Sequence, residues 1–177
     1  AFKPTIAFLG TGLMGEPICR CLLKAGFELT VWNRSFKKAE ALRVEGATAA
    51  STPDEAVSGA DVIITMLSDG AAVEEVMFGK GAAKAIVKGA TRIDMSSIGA
   101  DEAMAHAERH KASGVEYLDA PVSGGTKGAA TGELAIMVGG ELEIFTTMSP
   151  VFNAMGRATH VGPNGCGQLS KLANQVI

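Results

Sequence analysis

Residues Thr5 to Gly15, TIAFLGTGLMG, constrain this chain more than any other stretch: a short apolar run leads directly into Gly-x-Gly-x-x-Gly. The run reads as a buried strand. Beyond it Met14, Ile18, Cys21, Leu22 and Ala25 recur at helical spacing, and Gly26 supplies a stop. In such a strand–turn–helix unit each glycine has its own task. Gly10 permits the tight turn, Gly12 lets a pyrophosphate approach the backbone, and Gly15 allows the helix to pack closely on the strand. An anion then rests on the N–H groups of the helix start, along Gly10, Thr11, Gly12, Leu13, Met14 and Gly15.

The next predicted strand, Phe27 to Trp32, ends at Asn33-Arg34 with Lys37 and Lys38 close behind. In a dinucleotide fold this point meets the adenosine ribose, where an acid selects NAD and an arginine accommodates the NADP 2′-phosphate. Asn33 replaces the acid and Arg34 adds a fork of donors, so NADP(H) is expected to be favoured over NAD(H).

Strands and helices alternate along the rest of the chain. Helices are expected near 36–45 and 53–58, the second opened by Thr52-Pro53, and DVIITML (61–67) reads as a strand buried on both faces. Another helix begins at Ser68-Asp69-Gly70. Residues 90–95 read as a strand, followed by a helix to about Ala112, strands at 115–121 and 134–138, a helix at 144–155 and a strand at 158–161. This order predicts an α/β fold: a Rossmann-type, doubly wound, mostly parallel sheet. The motifs at Gly10, Asn33, Leu67, Ser96 and Asp119 would all fall at carboxyl ends of strands, where such sheets collect ligands.

Two later segments carry chemistry. In DAPVSGGT (119–126) a strand ends at a proline, and Ser123, Gly124 and Gly125 offer a hydroxyl and open N–H groups. That turn suits an anion nest or is simply a tight strand-to-helix turn, and the residues alone leave both open. The segment GPNGCGQLSKLANQVI (162–177) opens with glycines and becomes helical. Lys171, Asn174 and Gln175 share one helix face, a cation beside two amides. By itself this is equally the amphipathic start of any helix with a solvated lysine.

The remaining features exclude more than they suggest. Sixteen basic against nineteen acidic side chains give a net charge of −3 and no footprint for nucleic acid. No apolar run approaches the ~20 residues of a membrane span. Cys19, Cys21 and Cys166 form no disulfide framework and read as reduced thiols in a cytoplasmic setting, although a chain opening on Ala1 is compatible with a removed leader. His106 and His110, with Glu102, share a helix face at a spacing that can suit zinc. In so polar a helix they read as a solvated surface, and no metal is expected.

Taken together, FLGTGLMG (8–15), DAPVSGG (119–125) and the pattern from Gly162 to Asn174 resemble the β-hydroxyacid dehydrogenase family, which includes 3-hydroxyisobutyrate dehydrogenase, tartronate semialdehyde reductase and glyoxylate/succinic semialdehyde reductases. The resemblance runs over the whole chain. It implies that Lys171 is the catalytic lysine, that Ser123, Gly124 and Gly125 bind substrate, with Asn174 and Gln175 as further contacts, and that Met66, Leu67, Ser68 and Ser97 line the cofactor cleft. The pairing of Asn174 with Gln175 looks most like the tartronate semialdehyde branch. By the same resemblance, residues 1–163 form the NAD(P)-binding domain and 164–177 the start of a connecting helix to an all-helical domain absent from this sequence, through which the full protein would form a homo-oligomer. A small carboxylate-bearing aldehyde or 3-hydroxy acid is the implied substrate. A dinucleotide-binding module without catalysis is the alternative of a different class.

Overall fold

The computed structural model describes residues 2–176, without the side chains of Gln175 and Val176. β1 (Ile6–Leu9) runs into α1 (Gly15–Lys24), and β2 (Leu29–Trp32) into α2 (Phe36–Glu40) with a tighter 3-10 turn at Ala41–Glu45. β3 (Thr48–Ala49) precedes α3 (Pro53–Val57), and β4 (Val62–Thr65) precedes α4 (Gly70–Glu74), which widens into a π turn at Glu75–Gly79 before α5 (Ala82–Ala85). β5 (Thr91–Asp94) leads to α6 (Ala100–Ala112), and β6 (Glu116–Asp119) to β7 (Val122–Ser123) and α7 (Gly125–Thr131). Then come β8 (Leu134–Gly139), α8 (Leu142–Thr147), α9 (Ser149–Met155), β9 (Gly156–Gly162) and α10 (Cys166–Val176).

The strands form one sheet in the order β3-β2-β1-β4-β5-β6-β8-β7, with β9 also paired to β8. From β3 to β6 every pairing is parallel. β8 then runs antiparallel to β6 and β7, while β9 returns parallel to β8. The expected doubly wound, mostly parallel sheet is therefore present. Alternation along β1 shows how both faces are covered. Ile6 and Phe8 join Ile18 and Leu22 of α1 and Phe152 of α9 on one face; Ala7 and Leu9 join Val57 of α3 and Val73 of α4 on the other.

Local chemistry explains the breaks that periodicity missed. The strand expected at 115–121 divides because Pro121 has no N–H for the ladder, although its carbonyl still accepts from Met137 at 3.1 Å. The helix expected at 144–155 restarts at Ser149, with Pro150 in the first turn of α9. Caps appear where side chains allow them: Thr52 accepts from the Glu55 N–H at 3.3 Å and Asp69 from the Ala72 N–H at 2.8 Å.

One expectation is overturned. Glu102 is exposed and its carboxylate accepts from the Gly99 N–H, but His106 and His110 are buried, not solvated. The reason lies on β5. Arg92 is wholly buried there, and a buried cation needs partners. It donates through Nη2 to Asp94 (3.1 Å) and Thr65 (3.3 Å), and through Nη1 to His106 Nδ1 (3.2 Å) and His110 Nε2 (3.0 Å). A guanidinium has no acceptor, so both imidazole nitrogens must accept. The other nitrogen of His106 meets Glu74 at 3.2 Å. The inward stripe of α6 is thus Ala103, His106 and His110, and it lies on Arg92 and Tyr117.

Burial, and next the Arg92 charge, hold His106 below the ordinary histidine range; burial and then Arg92, His106 and Arg109 push His110 down to about 3. Both imidazoles stay neutral in the fold where the unfolded chain takes up protons. Their contribution is therefore complete above 6.5, the unperturbed value, and for His110 it fades as pH falls from there to about 3. Denaturant titrations between about pH 7 and about pH 5 should show stability falling by up to ~1.4 kcal/mol per pH unit for each such histidine. His110→Gln, whose amide oxygen can still accept from Arg92, should flatten that slope. Equal slopes in both proteins would mean that His110 titrates as an exposed histidine.

Candidate functional site

The carboxyl ends of β1, β2, β4, β5 and β6 meet at one edge of the sheet, and between β1 and β4 the strand order reverses. That reversal opens the crevice in which doubly wound folds hold ligands. After β1 the backbone turns at Gly10, whose φ of +111° suits glycine, and α1 begins at Gly15. A β-carbon on Gly10 would run into the Met66 carbonyl, and one on Gly15 into the Gly10 carbonyl. Around Gly12 nothing lies within 4 Å of that position. Two glycines therefore let backbone pack on backbone, and the third leaves open space. No side chain caps α1; in its first turn the Glu16 N–H donates to the Gly12 carbonyl at 2.9 Å and Pro17 has no N–H to satisfy.

The loop is braced from β2. Asn33 Oδ1 accepts from the Thr11 N–H at 3.0 Å and Asn33 Nδ2 donates to the Ser35 carbonyl at 3.2 Å. Thr11 is wholly buried, whereas Leu13 is largely exposed. A cleft of about 220 Å³ is lined by Gly10, Gly12, Asn33, Arg34, Met66, Leu67 and Ser68, so seven of the residues singled out in the sequence share one cavity. Arg34 is exposed at its rim.

A second cleft, of about 180 Å³, lies between the β5–α6 loop and α10. Ser97, Gln168 and Lys171 line it. The hydrogen bond from the Leu67 N–H to Ser96 Oγ, 2.9 Å, ties the loop of the first cleft to that of the second. Lys171 is partly buried and its Nζ donates to the Val122 carbonyl, immediately before Ser123. Burial displaces this ammonium below the ordinary lysine range. Ser123 and Gly124 are exposed, with Gly124 at φ +132° and Gly125 at φ +61°. The structure thus brings Lys171, Ser97 and the Ser123–Gly125 turn to one edge. Asn174 is turned elsewhere, its amide donating to Met137 Sδ at 3.5 Å. The side chain of Gln175 lies outside the described residues.

In the sequence reading Asp119 only marks a strand end and Gln168 has no role, yet both are buried, Asp119 against Lys171's helix and Gln168 within it. The glycines at 139 and 167 stand against the Asp119 carboxylate. Among the described residues no cluster of three metal-ligating side chains occurs, and no helix is long and apolar enough to cross a membrane.

Comparison with known proteins matches residues 5–162 to the model of the NAD binding domain of 6-phosphogluconate dehydrogenase. The chain belongs to that family. Among curated relatives it is 42% identical over 174 residues to the 2-hydroxy-3-oxopropionate reductase of Escherichia coli, covering 97% of this chain and 59% of that one. It is also 42% identical over 174 residues to an NAD-dependent L-serine dehydrogenase of Pseudomonas aeruginosa, covering 97% and 58%. The solved 3-hydroxyisobutyrate dehydrogenase of Mycobacterium tuberculosis with L-serine superposes at a TM-score of 0.93 and 36% identity, covering 98% of this chain and 59% of that one. The expected β-hydroxyacid dehydrogenase resemblance is met, and the chain spans about three fifths of the length of these relatives.

The glycines of this family's loop should separate by substitution. Gly15→Ala is expected to lower the melting temperature or prevent folding, because the Gly10 carbonyl is backbone and cannot move aside. Gly12→Ala should melt as the unmodified protein does and lose dinucleotide affinity by about tenfold or more, roughly the ~1.4 kcal/mol of one poorly seated phosphate contact. Thermal melts with and without NADP(H) read both effects.

Proposed function

We propose that the full-length protein is an NAD(P)-dependent β-hydroxyacid dehydrogenase that transfers hydride between NADP(H) and a small semialdehyde or 3-hydroxy acid carrying a carboxylate. One observation carries this reading: a partly buried lysine, Lys171, meets the Ser123 turn and Ser97 at the sheet edge that also holds the glycine loop. The residues fit the cofactor, since Gly12 leaves room at the backbone and the cleft runs from the loop to Arg34. When bound, the nicotinamide supplies or accepts the hydride.

The protein's own groups do the rest. Lys171 gives a proton to the carbonyl oxygen as the aldehyde is reduced, and takes the hydroxyl proton in the reverse direction. Its lowered basicity, caused by burial, makes the neutral form accessible. Ser123 and the N–H groups of Gly124 and Gly125 hold the substrate carboxylate, and Asn174, once its amide leaves Met137 Sδ, orients the substrate hydroxyl together with Gln175. The substrate we favour is tartronate semialdehyde (2-hydroxy-3-oxopropanoate), supported by the Asn174–Gln175 pair and by the Escherichia coli relative's name. 3-Hydroxyisobutyrate and glyoxylate or succinic semialdehyde are the alternatives. Residues 1–163 would hold the dinucleotide, and 164–177 open a helix toward a second, helical domain through which the protein forms a homo-oligomer. This is supported by the greater length of the relatives and by exposed Leu169 and Leu172 on α10. The free thiols of Cys19, Cys21 and Cys166 suit a reducing compartment such as the cytoplasm.

Lys171→Ala in the full-length protein should lower kcat by about 10²–10⁴-fold, the range of a positioned acid–base group, with a much smaller change in NADPH affinity. Lys171→Arg should be nearly as inactive, because a guanidinium does not release its proton. Wild-type kcat in the alanine variant would show that Lys171 does not carry the proton transfer, whereas no turnover of any semialdehyde in a panel by the unmodified full-length protein would leave a dinucleotide-binding module without this chemistry.

Cofactor choice is tested separately. Arg34 at the end of β2, with no carboxylate at 33, supports NADP(H) over NAD(H). Arg34→Ala should weaken NADPH binding by about tenfold, one charge-assisted contact, and leave NADH binding little changed, as followed by cofactor fluorescence. Equal affinities for the two cofactors in the unmodified protein would remove the proposed preference.

A further inference from the structure

Beyond its own bond to the Val122 carbonyl, the position of Lys171 is set by groups that never meet it. The first turn of α10 is pinned to the sheet by Asp119, wholly buried at the end of β6, whose carboxylate accepts from the N–H groups of Gly165 (2.8 Å) and Gln168 (3.2 Å). Two glycines make its chamber. A β-carbon on Gly139 would stand 2.7 Å from Asp119 Oδ1, and one on Gly167 would stand 2.8 Å from the Asp119 carbonyl oxygen. Asn164 adds hydrogen bonds to the carbonyls of Tyr117 (2.8 Å) and Gly139 (3.3 Å). These contacts fix where α10 starts. They act on the backbone of its first turn and leave its rotation toward the cleft to a side-chain contact.

Gln168 sets that rotation. It is 5% exposed, and both ends of its amide are used. Nε2 donates to the Ser96 carbonyl at 2.9 Å, and Oε1 accepts from the Ile98 N–H at 3.3 Å, so the amide grips the β5–α6 loop on either side of Ser97. The loop is itself held: the Ser96 N–H donates to Asp94 at 3.0 Å, and Ser96 Oγ accepts from the Leu67 N–H. Lys171 follows Gln168 by three residues and shares its helix face. One side chain therefore joins the helix that bears the lysine to the loop that borders the cofactor cleft. Only a group with a donor and an acceptor on one planar end satisfies both partners; a carboxylate would oppose the Ser96 carbonyl, and an apolar side chain would leave two buried backbone groups unpaired.

We infer that Gln168 is a positioning residue for Lys171, holding its ammonium at a fixed distance and direction from Ser97 and the reacting carbonyl. The inference rests on the catalytic reading of Lys171. Misplacing a reacting group by ~1 Å costs on the order of 10²-fold in rate, so Gln168→Leu should lower kcat by about 10–100-fold while the dissociation constant for NADPH and the KM for the semialdehyde stay within about threefold.

The deciding experiment is a double-mutant cycle in the full-length protein: unmodified, Gln168→Leu, Lys171→Ala and the double variant, with kcat, KM and NADPH affinity measured for each. If Gln168 acts through Lys171, its substitution lowers kcat in the unmodified background and has no further effect once Lys171 is gone. The same fold-loss in both backgrounds, or wild-type kcat in Gln168→Leu, overturns the inference and leaves the reading of Lys171 standing. Wild-type kcat in Lys171→Ala overturns that reading itself, and with it this inference. NADPH binding reports that each variant is folded. Should Gln168→Leu fail to bind, Gln168→Glu takes its place in the cycle and is read in the same way, since it keeps the acceptor for Ile98 while a carboxylate oxygen replaces the donor and opposes the Ser96 carbonyl.

Discussion

The carbonyl oxygen of Gly10 occupies the space that a side chain on Gly15 would need, and the Met66 carbonyl occupies the equivalent space at Gly10. These backbone-on-backbone contacts draw α1 onto the end of β1 and bring the β4 loop against both. Had either position carried a side chain, the helix would stand off the sheet and the crevice between β1 and β4 would lose one wall. The rest of the site is arranged from this fixed corner: β5 and β6 extend the parallel edge, their terminal loops carry Ser96 and Asp119, and α10 is fastened across them.

Buried polarity continues the same logic away from the crevice. Arg92 stands where a doubly covered strand would ordinarily place an aliphatic residue, and its two terminal nitrogens, though not its Nε, are met by Asp94, Thr65 and the two histidines of α6. Removing one member of such a set leaves the others buried without partners, which usually costs more than the set contributes over an apolar equivalent. Asp94 is also the acceptor for the Ser96 N–H. The packing of α6 and the setting of the loop beside Lys171 thus share one carboxylate.

How far the fold was legible follows from how local each signal is. TIAFLGTGLMG carries strand, turn and helix within eleven residues, so its placement could be read directly, as could the strand end before Asn33 and the helix that bears Lys171. The direction of β8 could not, because alternation reports burial and says nothing of orientation. α6 was read inside out: its buried face holds Ala103, His106 and His110, and only the presence of Arg92 on a neighbouring strand makes that face an inner one. A lone arginine within an otherwise buried strand was the available clue. Gln168 and Asp119 escaped for a related reason, since their partners lie 72 and 46 residues away in the chain and no spacing rule connects them.

The brace at Asn33 has a consequence for how such a chain can change its ligand. Its amide oxygen holds the Thr11 N–H of the glycine loop and its nitrogen holds the Ser35 carbonyl, so the residue at the β2 end of the crevice is also a strut of the glycine loop. A carboxylate there would keep the first bond and set two oxygens against each other at the second. Any drift in nucleotide preference through this position would be felt as slack in the turn that presents Arg34. Under the proposed cofactor reading, selectivity and loop rigidity would have to change together.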